Sequence, residues 1–178
     1  MKHTITPQLS ITDIDTVKEQ STAEFDHVVS VCEDDIESHL DDSVDEYDQI
    51  ELADGPCGTY FGVECNFDLF ETATDTIRSA LEADQSALVH CHAGASRSVV
   101  TSATALATIR EQPLIEALET IEDVIPHTHP ANSLQKYGQC YVFKHTGQPP
   151  VVETLPKGRV DGYAEPEISL PPVDEERR

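Results

Sequence analysis

Ala87-Leu88-Val89-His90-Cys91-His92-Ala93-Gly94-Ala95-Ser96-Arg97-Ser98 is the stretch from which the rest of the chain can be read. It opens on an apolar run of strand character and passes through a glycine-containing loop. A helical pattern follows, from about Ser98 to Gln112. A loop turning from a strand into a helix points successive backbone N–H groups inward, and the helix N-terminus adds positive potential. The predicted result is an anion cradle. Cys91 stands at its entrance, where those N–H groups and Arg97 would favour a thiolate over a thiol. Arg97, six residues on, offers a planar fork suited to two phosphate oxygens.

The run from His90 to Ser98 resembles the His-Cys-x5-Arg-Ser/Thr signature of the protein tyrosine phosphatases, most closely in its dual-specificity branch. His90, Cys91, Gly94, Arg97 and Ser98 match position by position, and Ala93 and Ser96 match the dual-specificity form. His-Cys-x5-Arg alone is a short pattern; Gly94, Ser98 and the apolar strand ahead of it make the match far more specific. The resemblance implies an α/β fold, with a central, mostly parallel sheet of four to five strands flanked by helices. It also implies a metal-independent hydrolase of phosphomonoesters (protein phosphotyrosine, phosphoserine or phosphothreonine) that works through a phosphocysteine intermediate and needs no cofactor. Cys91 would be the nucleophile. The loop from His92 through Ala93, Gly94, Ala95 and Ser96 to Arg97 would bind the phosphate. Ser98 would assist departure of the sulfur, and His90 would brace the loop. A histidine satisfied within the core is compatible with that last role. Metal ligation by His90 and His92 is disfavoured, because alternate residues of a strand point to opposite sides.

Departure of an ester oxygen needs a proton donor. The family places an aspartate on the loop after the strand preceding the long helix, and Asp54 in Leu-Ala-Asp-Gly-Pro occupies that place. Its separation from Cys91 is somewhat longer than usual in the family. Asp54 also suits a plain turn residue before Gly55. Glu64 and Asp68 lie nearer to Cys91 in sequence, although an acid such as Asp68 is favoured in a first helical turn on structural grounds alone.

The formal net charge is −23, with acidic residues spread from Asp13 to Glu176 against five lysines and six arginines. Such self-repulsion destabilises a compact domain in dilute salt, and halophiles carry this kind of charge balance. At molar salt the Debye length falls to about 3 Å. A halophilic cytoplasm is therefore expected, and nucleic acid is not an expected partner, since no basic patch is visible. Neither a membrane-spanning run nor a signal-peptide pattern is apparent, so no membrane partner is expected. Five cysteines without a CxxC pattern suggest neither a disulfide scaffold nor a zinc site. Cys32 lies at the end of a predicted strand. It reads either as a small buried hydrophobe or as a thiol able to form a disulfide with an oxidised Cys91, with Cys57 as the competing partner.

Along the chain, Leu9–Ile11 and His27–Cys32 read as strands, the latter followed by a strongly acidic, exposed segment to Asp48. Gln49–Leu52 reads as a further strand, and residues 54–65 as a loop rich in glycine and aromatics. Helical patterns run over Asp13–Gln20, from Asn66 as N-cap, from Pro113 near the first helical position, and over about Asn132–Phe143. The third of these is expected to bury Ile115, Leu118, Ile121 and Val124. The expected organisation is a catalytic domain over residues 1–145 and an acidic, proline-containing flexible tail over 146–178.

Two other functions stay open at this point. One is a non-catalytic phosphate-binding module. The other is a thiol enzyme acting on sulfur or arsenic oxyanions, as rhodaneses and arsenate reductases do, although the Ala-Gly-x-Ser-Arg-Ser run fits those less well. The physiological substrate, the preference among phosphoamino acids and the oligomeric state are open too.

Overall fold

A computed structural model describes residues 1–55, 58–60 and 63–149, the two short stretches 58–60 and 63–65 by backbone alone. Seven strands and five α-helices follow one another: β1 (His3–Thr6), β2 (Leu9–Asp13), α1 (Ile14–Glu19), β3 (His27–Ser30), β4 (Glu46–Gln49), β5 (Gly58–Tyr60), β6 (Val63–Cys65), α2 (Phe67–Glu82), β7 (Ala87–Cys91), α3 (Arg97–Ile109), α4 (Leu114–Glu122) and α5 (Asn132–Thr146). Five strands form the central sheet in the order β1-β2-β7-β3-β4. Only β1 runs antiparallel to its neighbour. This is the mostly parallel sheet of four to five strands that the resemblance implied.

The strand Ala87–Cys91 is apolar apart from His90 because it is the middle of the sheet, buried along its whole length between β2 and β3. Helix α3 is buried almost throughout. It packs against α2, α4 and α5 as well as against β7. Its run of Ala, Ser, Thr and Val gives side chains short enough for close helix approach, and Thr101, Thr104 and Thr108 return their hydroxyls to carbonyls four residues back. The side chains of Asp13 and Asn66 cap α1 and α2 by accepting from Thr16 N and Leu69 N.

Several boundaries differ from the sequence-based expectation. The strand expected over Gln49–Leu52 lies three residues earlier, at Glu46–Gln49. That edge strand is set by its ladder with β3, His27 opposite Glu46 through Ser30 opposite Gln49. Ile50 and Leu52 are buried because the chain then turns over the end of the sheet, where Leu52 N donates to Ile50 O at 2.8 Å. Residues 58–60 and 63–65 form a small antiparallel pair inside the expected loop. Strand β1, absent from the reading of the sequence, pairs only with β2 at the sheet edge. Pro113 precedes α4 as its N-cap. In α4 the buried positions are Leu114, Ala117, Leu118 and Ile121, while Val124 is 38% exposed beyond the helix end. Helix α5 extends to Thr146, where Gly147 closes it at φ +72°. Of the expected tail, residues 150–178 lie outside the described residues, as does Cys57.

Candidate active site

The loop between β7 and α3 emerges at the carboxyl end of the central strand, the position where open α/β sheets bind ligands. Gly94 has φ +64°, and a Cβ there would stand 2.8 Å from the carbonyl oxygen of Thr12 on β2. Only glycine meets both demands. The loop is held from both sides: Ile14 N donates to His92 O at 3.3 Å, and His129 N donates to Ala95 O at 2.8 Å.

Cys91 is buried at the end of β7, its Sγ 3.2 Å from the Oγ of Ser98 in the first turn of α3. Arg97 begins α3 with a side chain only 8% exposed. Its Nη1 donates to Leu52 O and to Glu33 Oε2, both at 3.0 Å, while its buried Nε has no hydrogen-bond partner among the described residues. Burial opposes the guanidinium charge, but Cys91, Glu33 and Asp54 outweigh it and hold the pKa above its ordinary range. The Glu33 carboxyl is held below its usual range by its own backbone N–H, with Arg97 adding to the effect against burial.

Asp54 reaches the loop through Ser96, whose hydroxyl donates to Asp54 Oδ1 at 2.6 Å. The same Ser96 oxygen accepts from Ala131 N at 3.0 Å. Next door, Ser133 Oγ donates to Gly55 O at 2.8 Å. The segment carrying Asp54 is thus fastened both to the loop and to the start of α5. Asp68 is exposed in the first turn of α2. The side chain of Glu64 lies outside the described residues.

His90 is fully buried behind the loop, and neither ring nitrogen has a hydrogen-bond partner among the described residues. Burial drives its pKa down to about 4, so the ring is neutral near pH 7. His92 is exposed, with Nδ1 3.4 Å from Asp34 Oδ2. Cys32 is fully buried just past β3, its Sγ 3.5 Å from Ser30 Oγ, and burial pushes its thiol above the usual range.

Three contributors were not evident from the sequence. Glu33 fell inside a run that read as exposed acid. Leu52 acts through a carbonyl oxygen, and the Ala131–Ser133 segment acts from the far end of the chain. None carries a local signal; Glu33 and Leu52 depend on which strand ends the sheet order brings together, and the Ala131–Ser133 segment on the return of α5.

No family model matches the sequence, and no curated protein matches it either. Solved structures do match. The human tyrosine phosphatase-like serine/threonine/tyrosine-interacting protein is 17% identical, with a TM-score of 0.63 over 79% of this chain and 94% of that one. Human DUSP28 is 19% identical, with a TM-score of 0.64 over 80% of this chain and 95% of its own. PTPMT1 in complex with PI(5)P is 14% identical, with a TM-score of 0.65 over 82% and 97%. With a mostly parallel sheet of this order and a Cys-x5-Arg loop at the end of its central strand, the chain has a dual-specificity phosphatase-like fold.

Proposed function

We propose that this protein is a cysteine-dependent phosphatase hydrolysing phosphomonoesters of proteins. The carrying observation is the 3.2 Å contact of Cys91 Sγ with Ser98 Oγ, beside a buried Arg97 whose Nε has no acceptor among the described residues. A buried donor without a partner is costly, and a phosphate oxygen would relieve that cost. In the first step the Cys91 thiolate attacks phosphorus and the ester P–O bond breaks. The leaving oxygen takes a proton from Asp54. In the second step water attacks phosphorus, Asp54 takes up a water proton, and the P–S bond breaks with Ser98 donating to the departing sulfur. Arg97 and the backbone N–H groups from His92 onward would hold the equatorial oxygens throughout, supplying the positive charge that a metal provides elsewhere.

Proteins rather than inositol lipids are the proposed substrates. The variable loop positions His92, Ala93, Ala95 and Ser96 carry no lysine or arginine, and a net charge of −23 opposes polyanions. PTPMT1 is a neighbour in fold with PI(5)P bound, so a phosphoinositide belongs beside phosphopeptides in the substrate assay. The proposal includes a reducing, halophilic cytoplasm, supported by the charge balance and by five cysteines without a CxxC pattern.

The test is Cys91→Ser, assayed with an aryl phosphate and with an oxyanion in a binding titration. Turnover should fall below a few per cent while oxyanion binding persists, because a hydroxyl is a poor nucleophile at neutral pH. Substantial residual turnover would overturn the mechanism. A native protein that binds the oxyanion without turning over any ester would instead be a phosphate-binding module.

A further inference from the structure

At the end of the sheet away from the phosphate loop, His27 opens β3 and stands in register with Glu46 of β4. Asp48, two residues along β4, shares the face of Glu46. The His27 side chain is 4% exposed, whereas those of Glu46 and Asp48 are half exposed. His27 Nε2 lies 2.9 Å from Asp48 Oδ2. An ionised carboxylate only accepts, so in the neutral ring this contact places the proton on Nε2 and leaves Nδ1 with its lone pair. Nδ1 is buried and has no hydrogen-bond partner among the described residues, yet it lies 3.6 Å from Glu46 Oε2.

Two acceptors facing each other at that distance, one of them buried, repel unless something positive lies between them. A proton on Nδ1 would attract Glu46 across 3.6 Å, but beyond hydrogen-bond reach it would leave a buried N–H without an acceptor. A metal ion serves well. Two ligands each about 2.1 Å from zinc, at an angle slightly wider than tetrahedral, stand about 3.6 Å apart. Ligating histidines almost always donate the other ring N–H to a carboxylate or carbonyl, which is the part Asp48 plays here. A groove of about 580 Å³, lined by these three residues and by Thr72, Thr76 and Ser79 of α2, adjoins the cluster and has room for water ligands.

We propose that His27 Nδ1 and Glu46 bind a divalent transition-metal ion of the zinc class, with Asp48 orienting the imidazole and water completing the coordination. The site is separate from the phosphoryl chemistry. His27 pairs with Ala87, and Cys91 lies four residues further along β7, roughly 13 Å at about 3.3 Å per residue. The ion would fasten edge strand β4 to β3 and neutralise two of the carboxylates on an acidic face.

The experiment is calorimetric titration of the chelator-treated full chain with zinc chloride, in molar salt to screen diffuse attraction to the acidic surface. It is run on the native protein and on Cys91→Ser, with cobalt as a spectroscopic probe. One ion should bind per chain in both proteins, and the cobalt spectrum should lack thiolate charge-transfer bands. Asp48→Asn should weaken binding by about 10–100-fold. Glu46→Gln should weaken it further, and His27→Gln should abolish it, while Glu46→Gln leaves phosphatase activity unchanged. Glu46→Gln alters a half-exposed side chain and decides the matter alone if His27→Gln does not fold. Absence of stoichiometric binding, loss of binding in Cys91→Ser, or an affinity unmoved by Glu46→Gln would overturn the proposal.

Discussion

The loop from Cys91 to Ser98 and the segment bearing Asp54 lie against each other but are built in opposite ways. From Cys91 to Ser98 the thiol, the guanidinium and the hydroxyl beside the sulfur fall within eight consecutive residues, clamped between a central strand and a buried helix. Asp54 is fixed from outside, through the Ser96 hydroxyl 42 residues on and through Ser133, whose hydroxyl holds Gly55 from 78 residues away. Local sequence builds the first region and tertiary contact builds the second. The loop should therefore respond to substitution through its own geometry, and Asp54 through its attachment.

The largest difference expected concerns proton donation. Asp54→Asn should slow hydrolysis of a phosphoserine peptide by about 10²–10⁴-fold, and that of an aryl phosphate with a good leaving group much less. Leaving-group dependence of kcat measures this directly. The same pattern in Glu64→Gln or Asp68→Asn, with none in Asp54→Asn, would detach the acid from the Ser96 contact and break the comparison.

Gly94→Ala probes the other region. The left-handed backbone at φ +64° and the 2.8 Å approach to Thr12 O together should cost on the order of 3 kcal/mol, read by chemical denaturation. Activity should fall with it, since the loop can accept a Cβ only by moving away from β2. A fully stable, fully active Gly94→Ala would show that the loop is not clamped as described.

A smaller effect tests the packing behind the loop. The folded pKa of His90, about 4, lies below the unfolded value of about 6.5. The unfolded chain therefore binds a proton that the folded one refuses, and stability is lost as pH falls from about 6.5 towards 4. His90 should contribute up to about 3 kcal/mol of that loss. Many carboxylates titrate in the same window, so the readout is the difference between the native protein and His90→Gln, which should have the shallower pH dependence. Equal slopes would mean that His90 is solvated or partnered in solution.

The same division explains what could be read from the chain alone. The cradle was legible because strand, glycine, arginine and helix follow one another at fixed spacing, which brings Cys91 and Arg97 to one loop, whereas the place of Ser98 beside the sulfur came from the resemblance. Glu33, the carbonyl of Leu52 and the Ala131–Ser133 anchor were not legible. They reach the site only because β3 lies beside β7 and because α5 returns to the acid loop. The misplaced β4 has a related cause. Ile50 and Leu52 alternate like strand residues because they are buried at the sheet's end, whereas the true edge strand is exposed and acidic.

The central claim, a covalent phosphoenzyme on Cys91, is tested most directly in Ser98→Ala, where the donor 3.2 Å from the sulfur is removed and the second step should slow more than the first. Denaturing quench during turnover of an aryl phosphate, followed by peptide mapping, should show a burst of about one leaving group per enzyme and a matching phosphoryl adduct on the peptide containing Cys91. Steady turnover with no burst, or an adduct on any other residue, would contradict the account.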